Sequence, residues 1–226
     1  MARPALSDEE RLSRRSALLD AAQRLFRERG RLPTVLDIAR AAGMAKGAVY
    51  LWFRSKQEIY VALLDASFER LIQRLVPVIE TLDPFPAPAA RGFATRYAVL
   101  LDQLPEILPL TLTPNSIFKE DLPIDALSRF NKNLGAGLST AGALLEKRLK
   151  CLRPGEGTDL LFRTWTLTIG LWQVLDLPDS LRKILDAPSL SVLRRGFHEE
   201  LETAVAQLWL GAMSGCGAGE GAPGCR

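Results

Sequence analysis

Between Thr34 and Lys56 the chain reads TVLDIARAAGMAKGAVYLWFRSK, and several of its side chains suit contact with a polyanion. Thr34 and Lys56 each stand where a helix is predicted to start, so that a hydroxyl and an ammonium add to backbone N–H donors that favour a phosphate. Tyr50 can give its hydroxyl to another phosphate oxygen. Gly47, Ala48 and Leu51 share one helical face, opposite Val49 and Phe53, with Tyr50 and Trp52 flanking it. Gly47 lets backbone come close to a partner. Bidentate reading of base edges calls for Arg, Asn or Gln, and this face has none. It offers apolar contact from Ala48 and Leu51, suited to thymine methyls and to DNA shape, with Lys46 available to a guanine or a phosphate. Trp52 has two readings: it leans on a core, or it presents its indole N–H to a phosphate.

The elements that must position these residues are legible around them. Val35, Ile38 and Ala39 recur at i, i+3, i+4 and give a short helix one apolar face. Thr34 before them, with Asp37 three residues on, predicts its N-terminus. Gly43 is placed to end it with a positive φ. A second helix is predicted from about Ala45 to Phe53, with Val49, Trp52 and Phe53 on one side. Ser55-Lys56-Gln57-Glu58 is a capping-box pattern that opens a third. Two short helices around a glycine turn form a helix-turn-helix, whose second helix enters a DNA major groove.

With Arg14–Gly30 before it, RRSALLDAAQRLFRERG, this stretch resembles the N-terminal domain of the tetracycline-repressor (TetR) family of bacterial regulators. The agreement runs through Ala21-Ala22, Leu25-Phe26, Asp37-Ile38-Ala39, Ala42-Gly43, Lys46-Gly47, Tyr50, Phe53 and Ser55-Lys56, over roughly residues 12–72. The resemblance implies an all-α fold: a three-helix helix-turn-helix head, then a larger helical body that binds a ligand and dimerises. It implies DNA contacts from Thr34, Lys46, Gly47, Ala48, Tyr50, Leu51, Trp52 and Lys56. It also implies a palindromic operator and a small-molecule inducer that releases it.

Composition agrees with such a protein and excludes others. The 226 residues are 47% hydrophobic and 24% charged, as in ordinary soluble proteins. No uncharged apolar run is long enough for a membrane span, and the N-terminus lacks a signal-peptide core, so a cytoplasmic protein is expected. The formal charge is +3 overall, but residues 1–60 carry +5 and the remainder −2. The positive excess therefore lies with the helix-turn-helix, as phosphate binding requires, though a solvated basic surface would look the same. Cys151, Cys216 and Cys225 form no Cys-x-x-Cys pair, and His198 is the single histidine, so neither a zinc site nor a disulfide framework is suggested. No catalytic residue, metal or cofactor is predicted. The rival readings are an all-helical enzyme, which would need a proton-transfer or metal constellation, and a non-specific DNA binder.

Domains are expected at 8–56 for the head and 57–212 for the body, followed by a Gly-rich, disordered tail at 213–226. Ser7 with Glu10 predicts the first helix from Asp8 to Gly30, with Arg11, Arg14 and Arg15 outside and within reach of phosphates. A long helix follows from Lys56 to about Leu82, with a possible kink at Pro77. The proline-rich 83–88 reads as a loop. Further helices are predicted near 89–104, 106–112, 124–151, 158–177 and 189–212. Thr164–Leu175 has no charge and is apolar nearly all round, so it must be buried on more than one side. With the last helix it would supply a four-helix dimer interface. The body's candidate ligand contacts are Phe93, Tyr97, Phe118, Asn131, Trp165, Thr168 and Trp172, for a ligand largely apolar and uncharged. Their spacing is also what any packed helix produces.

Overall fold

The computed structural model describes residues 7–112, 124–178, 183–185 and 187–214. Among these residues the fold is all-α, with no strand. Helices α1 (Asp8–Arg29), α2 (Val35–Ala41), α3 (Lys46–Val49), α4 (Lys56–Glu80), α5 (Pro86–Asp102), α6 (Ile107–Leu112), α7 (Ile124–Arg148), α8 (Glu156–Leu175) and α9 (Phe197–Met213) follow in order, with a 3₁₀ segment at Pro188–Leu193 before α9. The chain folds as two compact units: one from Met1–Glu69 with Pro105–Leu134, the other from Arg70–Leu104 with Gly135–Arg226.

The first unit is built on α1. Ser7 and Glu10 form the expected reciprocal capping box, and Gly30 ends the helix in the left-handed region at φ 62°. Leu18, Ala21, Ala22, Leu25 and Phe26 are buried, together with Ile38, Ala39, Val49 and Phe53 of the next two helices. Residues 105–112 and 124–134 also fold here. Glu106, whose side chain is wholly buried, takes a two-pronged hydrogen bond from Arg27 at 2.8 and 2.9 Å and another from Gln23. Tyr60 of α4 donates its hydroxyl to the Leu110 carbonyl of α6. Phe130 of α7 meets Phe68 of α4 with ring centroids 5.6 Å apart. Burial is the largest influence and works to raise the Glu106 carboxyl, but the hydrogen bonds and charge of Arg27, with a backbone amide and Gln23, together outweigh it and hold the group below the usual carboxylate range.

The second unit is built on α9. Trp209 is fully buried and stacks on Phe93 of α5 at 3.8 Å, while its indole N–H donates to the Thr164 hydroxyl of α8 at 2.9 Å. The α7–α8 crossing depends on glycine. A Cβ at Gly142 would lie 2.2 Å from Thr158 Oγ1, and one at Gly157 would lie 2.3 Å from the Gly142 carbonyl. Glu146 of α7 accepts from the amides of Gly155 and Gly157, capping the start of α8 from a neighbouring helix.

Boundaries differ from the sequence reading where prolines and glycines intervene. α5 begins at Pro86 rather than Ala89, because proline is tolerated in a helix's first turn. α4 continues through Pro77 to Glu80. The last helix starts at Phe197, not Ser189: the segment before it forms a 3₁₀ turn, and Gly196 caps the helix with extended backbone. The expected disordered tail, apart from Met213 and Ser214, and Phe118 lie outside the described residues.

Candidate nucleic-acid interface

The turn between α2 and α3 is closed as a Schellman motif. Met44 donates its amide to Ala39 O at 2.8 Å and Gly43 to Arg40 O at 3.1 Å, with Gly43 at φ 67°. The α2 start carries the predicted cap. Thr34 Oγ1 accepts from the Asp37 amide at 3.1 Å and donates to Asp37 Oδ2 at 2.8 Å. The Thr34 hydroxyl proton is therefore already engaged, which the sequence reading of a free phosphate donor did not anticipate. Hydrogen bonds from Thr34, then the Arg29 guanidinium at 3.0 Å, hold the Asp37 carboxyl below its ordinary range.

α3 is shorter than predicted. Its regular ladder covers Lys46–Val49, and residues 50–52 continue as turns in which Leu51 and Trp52 donate to the carbonyls three residues back. The face assignment is unaffected. Val49 and Phe53 are buried, whereas Lys46, Gly47, Tyr50 and Leu51 are exposed and Ala48 and Trp52 half-buried. Leu51 is 77% exposed. A Cβ on Gly47 would meet no atom of the protein within 4 Å.

Beyond the turn, Ser55 accepts from the Glu58 amide at 3.1 Å, as its capping pattern predicts. Glu58 returns its carboxylate to the Arg54 amide at 2.7 Å, one residue earlier than the expected box. Lys56 opens the 25-residue α4 with its side chain exposed. The structure thus gathers Lys46, Gly47, Ala48, Tyr50, Leu51 and Trp52 on and around α3, and sets exposed Thr34 and Lys56 at two helix starts. Arg14 is exposed too, but Arg15 lies over the Phe53 ring at 5.1 Å and so braces the core.

The second unit separates the expected ligand contacts. Phe93 packs on Trp209 and on Tyr97, whose hydroxyl pairs with Thr168 Oγ1 at 3.0 Å. Thr168 also donates to the Thr164 carbonyl. Burial pushes the Tyr97 phenol well up, against the Thr168 hydrogen bond. These three residues are buried and packed on one another, and the i, i+4 spacing of Phe93 and Tyr97 serves helix packing. Trp165 is half-buried. Trp172 does line a cavity of about 490 Å³, with Leu175, Leu193, Arg194, Arg195, Phe197 and His198 among its walls. Arg195 pairs with Glu200 at 2.7 Å, and His198 Nε2 lies 3.1 Å from Asp102 Oδ1. Asn131 belongs to the first unit, in a hollow of about 480 Å³ with Ile124, Leu127, Ser128 and Lys132. The sequence reading missed the 194–198 wall, because it assigned that stretch to a continuous helix.

A basic helix-turn-helix in an all-α chain defines a DNA-binding regulatory protein. The sequence pattern of the family described as "Bacterial regulatory proteins, tetR family" matches residues 18–63, and that of "Tetracyclin repressor-like, C-terminal domain" matches residues 65–215. The chain belongs to the TetR family of bacterial regulators. It is 44% identical over 62 residues to the HTH-type transcriptional regulator TtgR of Pseudomonas putida, covering 27% of this chain and 30% of that protein. It is 40% identical over 70 residues to the HTH-type transcriptional repressor KstR2 of Mycobacterium tuberculosis, covering 30% of this chain and 35% of the relative. These matches thus span about a third of each relative's length. The fold is similar to that of the fatty acid degradation regulator FadR of Bacillus halodurans (TM-score 0.55, 16% identity, 92% of this chain and 97% of that one). It is also similar to FadR of Bacillus subtilis, solved in complex with stearoyl-CoA (TM-score 0.55, 18% identity, 87% and 98%). Among the described residues no helix is long and apolar enough to cross a membrane.

Proposed function

We propose that the protein is a ligand-responsive transcriptional repressor. It binds a palindromic operator as a homodimer through residues 8–56 and is released by a small, largely apolar molecule held within residues 57–212. One observation carries the reading. Lys46, Gly47, Tyr50 and Leu51 stand exposed in a strip around α3, anchored from behind by Val49 and Phe53, with Lys56 and Thr34 exposed at neighbouring helix starts. The local charge excess supports it, as does the repressor name of the KstR2 relative.

Dimerisation is supported by the outer face of α8. Phe162 and Val174 are 58% and 66% exposed, Thr166, Gly170 and Gln173 lie between them, and no charge occurs from 164 to 175. α9 is likewise uncharged from 203 to 214. A two-fold pair would place two recognition helices about 34–36 Å apart, to match half-sites one turn apart. The cavity beside Trp172 suits an effector with an apolar body, and the stearoyl chain of the ligand in the B. subtilis FadR complex supports an apolar part in a ligand for this architecture. The effector acts by binding the non-operator state more tightly. Such a regulator is not an enzyme, and it works in the cytoplasm, where its DNA is.

The test is a footprint of the purified protein on the DNA upstream of its own gene, followed by a screen of apolar compounds for release. Protection of an inverted repeat, lost on adding one compound class, is the expected result. Uniform binding along the fragment, unmoved by any compound, contradicts the reading.

A further inference from the structure

Leu51 is more exposed than any other large apolar side chain among the described residues. Nothing in the fold needs it there: the core behind it is completed by Val49 and Phe53, at 0% and 1% exposure. Lys46, Tyr50, Arg54 and Lys56, close to it in sequence, are exposed as well, so this stretch offers an apolar tip together with cations and a phenol. That setting fits a polyanion with a small apolar feature on its surface. In a DNA major groove the one apolar group on a base edge is the thymine C5-methyl. Ala48, three residues back on the same side and half-buried, widens the apolar contact. From Met44 to Phe53 there is no Arg, Asn or Gln to form a bidentate pair with a purine.

We infer that Leu51 is a specificity-determining residue that reads the C5-methyl of one thymine in each operator half-site. This rests on the proposed reading of α3 as a DNA-reading element, and it names the base chemistry that element selects. Cytosine at the same position loses the methyl and presents an amino group to an apolar tip. A purine presents acceptors that Leu51 cannot satisfy, so their hydration is lost without return.

The experiment selects bound duplexes from a random pool, then replaces each conserved thymine in turn by deoxyuridine, which removes only the methyl. Binding is measured for wild type and for Leu51→Ala, with circular dichroism and affinity for random DNA as folding controls. The expected result is one symmetric pair of thymines at which the replacement weakens wild-type binding about fourfold per half-site. Leu51→Ala loses that sensitivity and keeps the response at every other thymine. At the same position, 5-methylcytosine in place of cytosine restores part of the wild-type affinity and none of the mutant's. The inference is overturned if deoxyuridine is neutral at every position of a sharply selected operator, or if Leu51→Ala retains the full sensitivity. If no sequence is selected at all, the proposed function fails first, and the inference with it.

Discussion

Gly47 carries no side chain although the protein leaves room for one. An alanine at an exposed helical position normally adds up to about 1 kcal/mol of stability, so the fold alone does not call for glycine here. Gly47→Ala should therefore leave the thermal midpoint unchanged or raised, while weakening operator binding roughly tenfold by holding backbone away from DNA. Unchanged binding would remove Gly47 from the interface. Lys56→Ala should lower affinity alike for all sequences and reduce the salt slope of binding by about one per protomer, measured by titration at several salt concentrations. Most of this site was readable from residue types, because caps, turn glycines and the faces of short helices are local properties. Two features were not. Arg15 reads as a phosphate contact until Phe53, 38 residues later, is found beneath its guanidinium. The Thr34 hydroxyl reads as free until its proton is traced to Asp37.

Helix by helix, the apolar periodicity located each described element to within a few residues, except at the start of α9. There Leu190 and Val192 continue an apolar pattern, but Gly196 and the 3₁₀ turn before it interrupt the helix. The placement of α6 was not legible. Glu106 meets Arg27 across 79 residues of sequence, and nothing local marks either as a partner. This clasp should contribute to stability in a pH-dependent way. The folded carboxyl lies below its ordinary value of 4.5, so the contribution is complete above that value and fades as the pH falls through the depressed one. Chemical denaturation between about pH 3 and 7 should show the slope in wild type and a flatter profile in Glu106→Gln; identical profiles would contradict it. Arg27→Ala at neutral pH should cost about 2 kcal/mol, less than the roughly 3–5 kcal/mol of a fully buried pair, because Arg27 is 43% exposed. Gly142→Ala drives a methyl into the backbone and hydroxyl of Thr158, so it should lower the denaturation midpoint by more than any other Gly→Ala change in α7. At Gly135 a methyl meets nothing within 4 Å, and at Gly137 only the flexible Ile72 side chain at 3.3 Å.

For the whole molecule, the proposed dimer would be formed through the uncharged stretches 164–175 of α8 and 203–213 of α9. Replacing Phe162 or Val174 by Asp should give a monomer by sedimentation velocity with helicity retained, and should abolish cooperative operator binding. The compact units were also beyond the sequence reading. Their membership follows from which distant segments pack together, and hydrophobic periodicity reports a helix's face without naming its partner.

The protein is proposed to be a paired, sequence-specific reader of DNA. The most direct test is binding of the purified protein to the DNA upstream of its own gene, at two salt concentrations, with stoichiometry and with Lys56→Ala and Tyr50→Phe alongside. A paired, sequence-specific reader binds tightly, outcompetes random DNA, saturates at two or four chains per site, and weakens in both variants. Weak binding, indifferent to sequence and untouched by either substitution, would contradict the proposal.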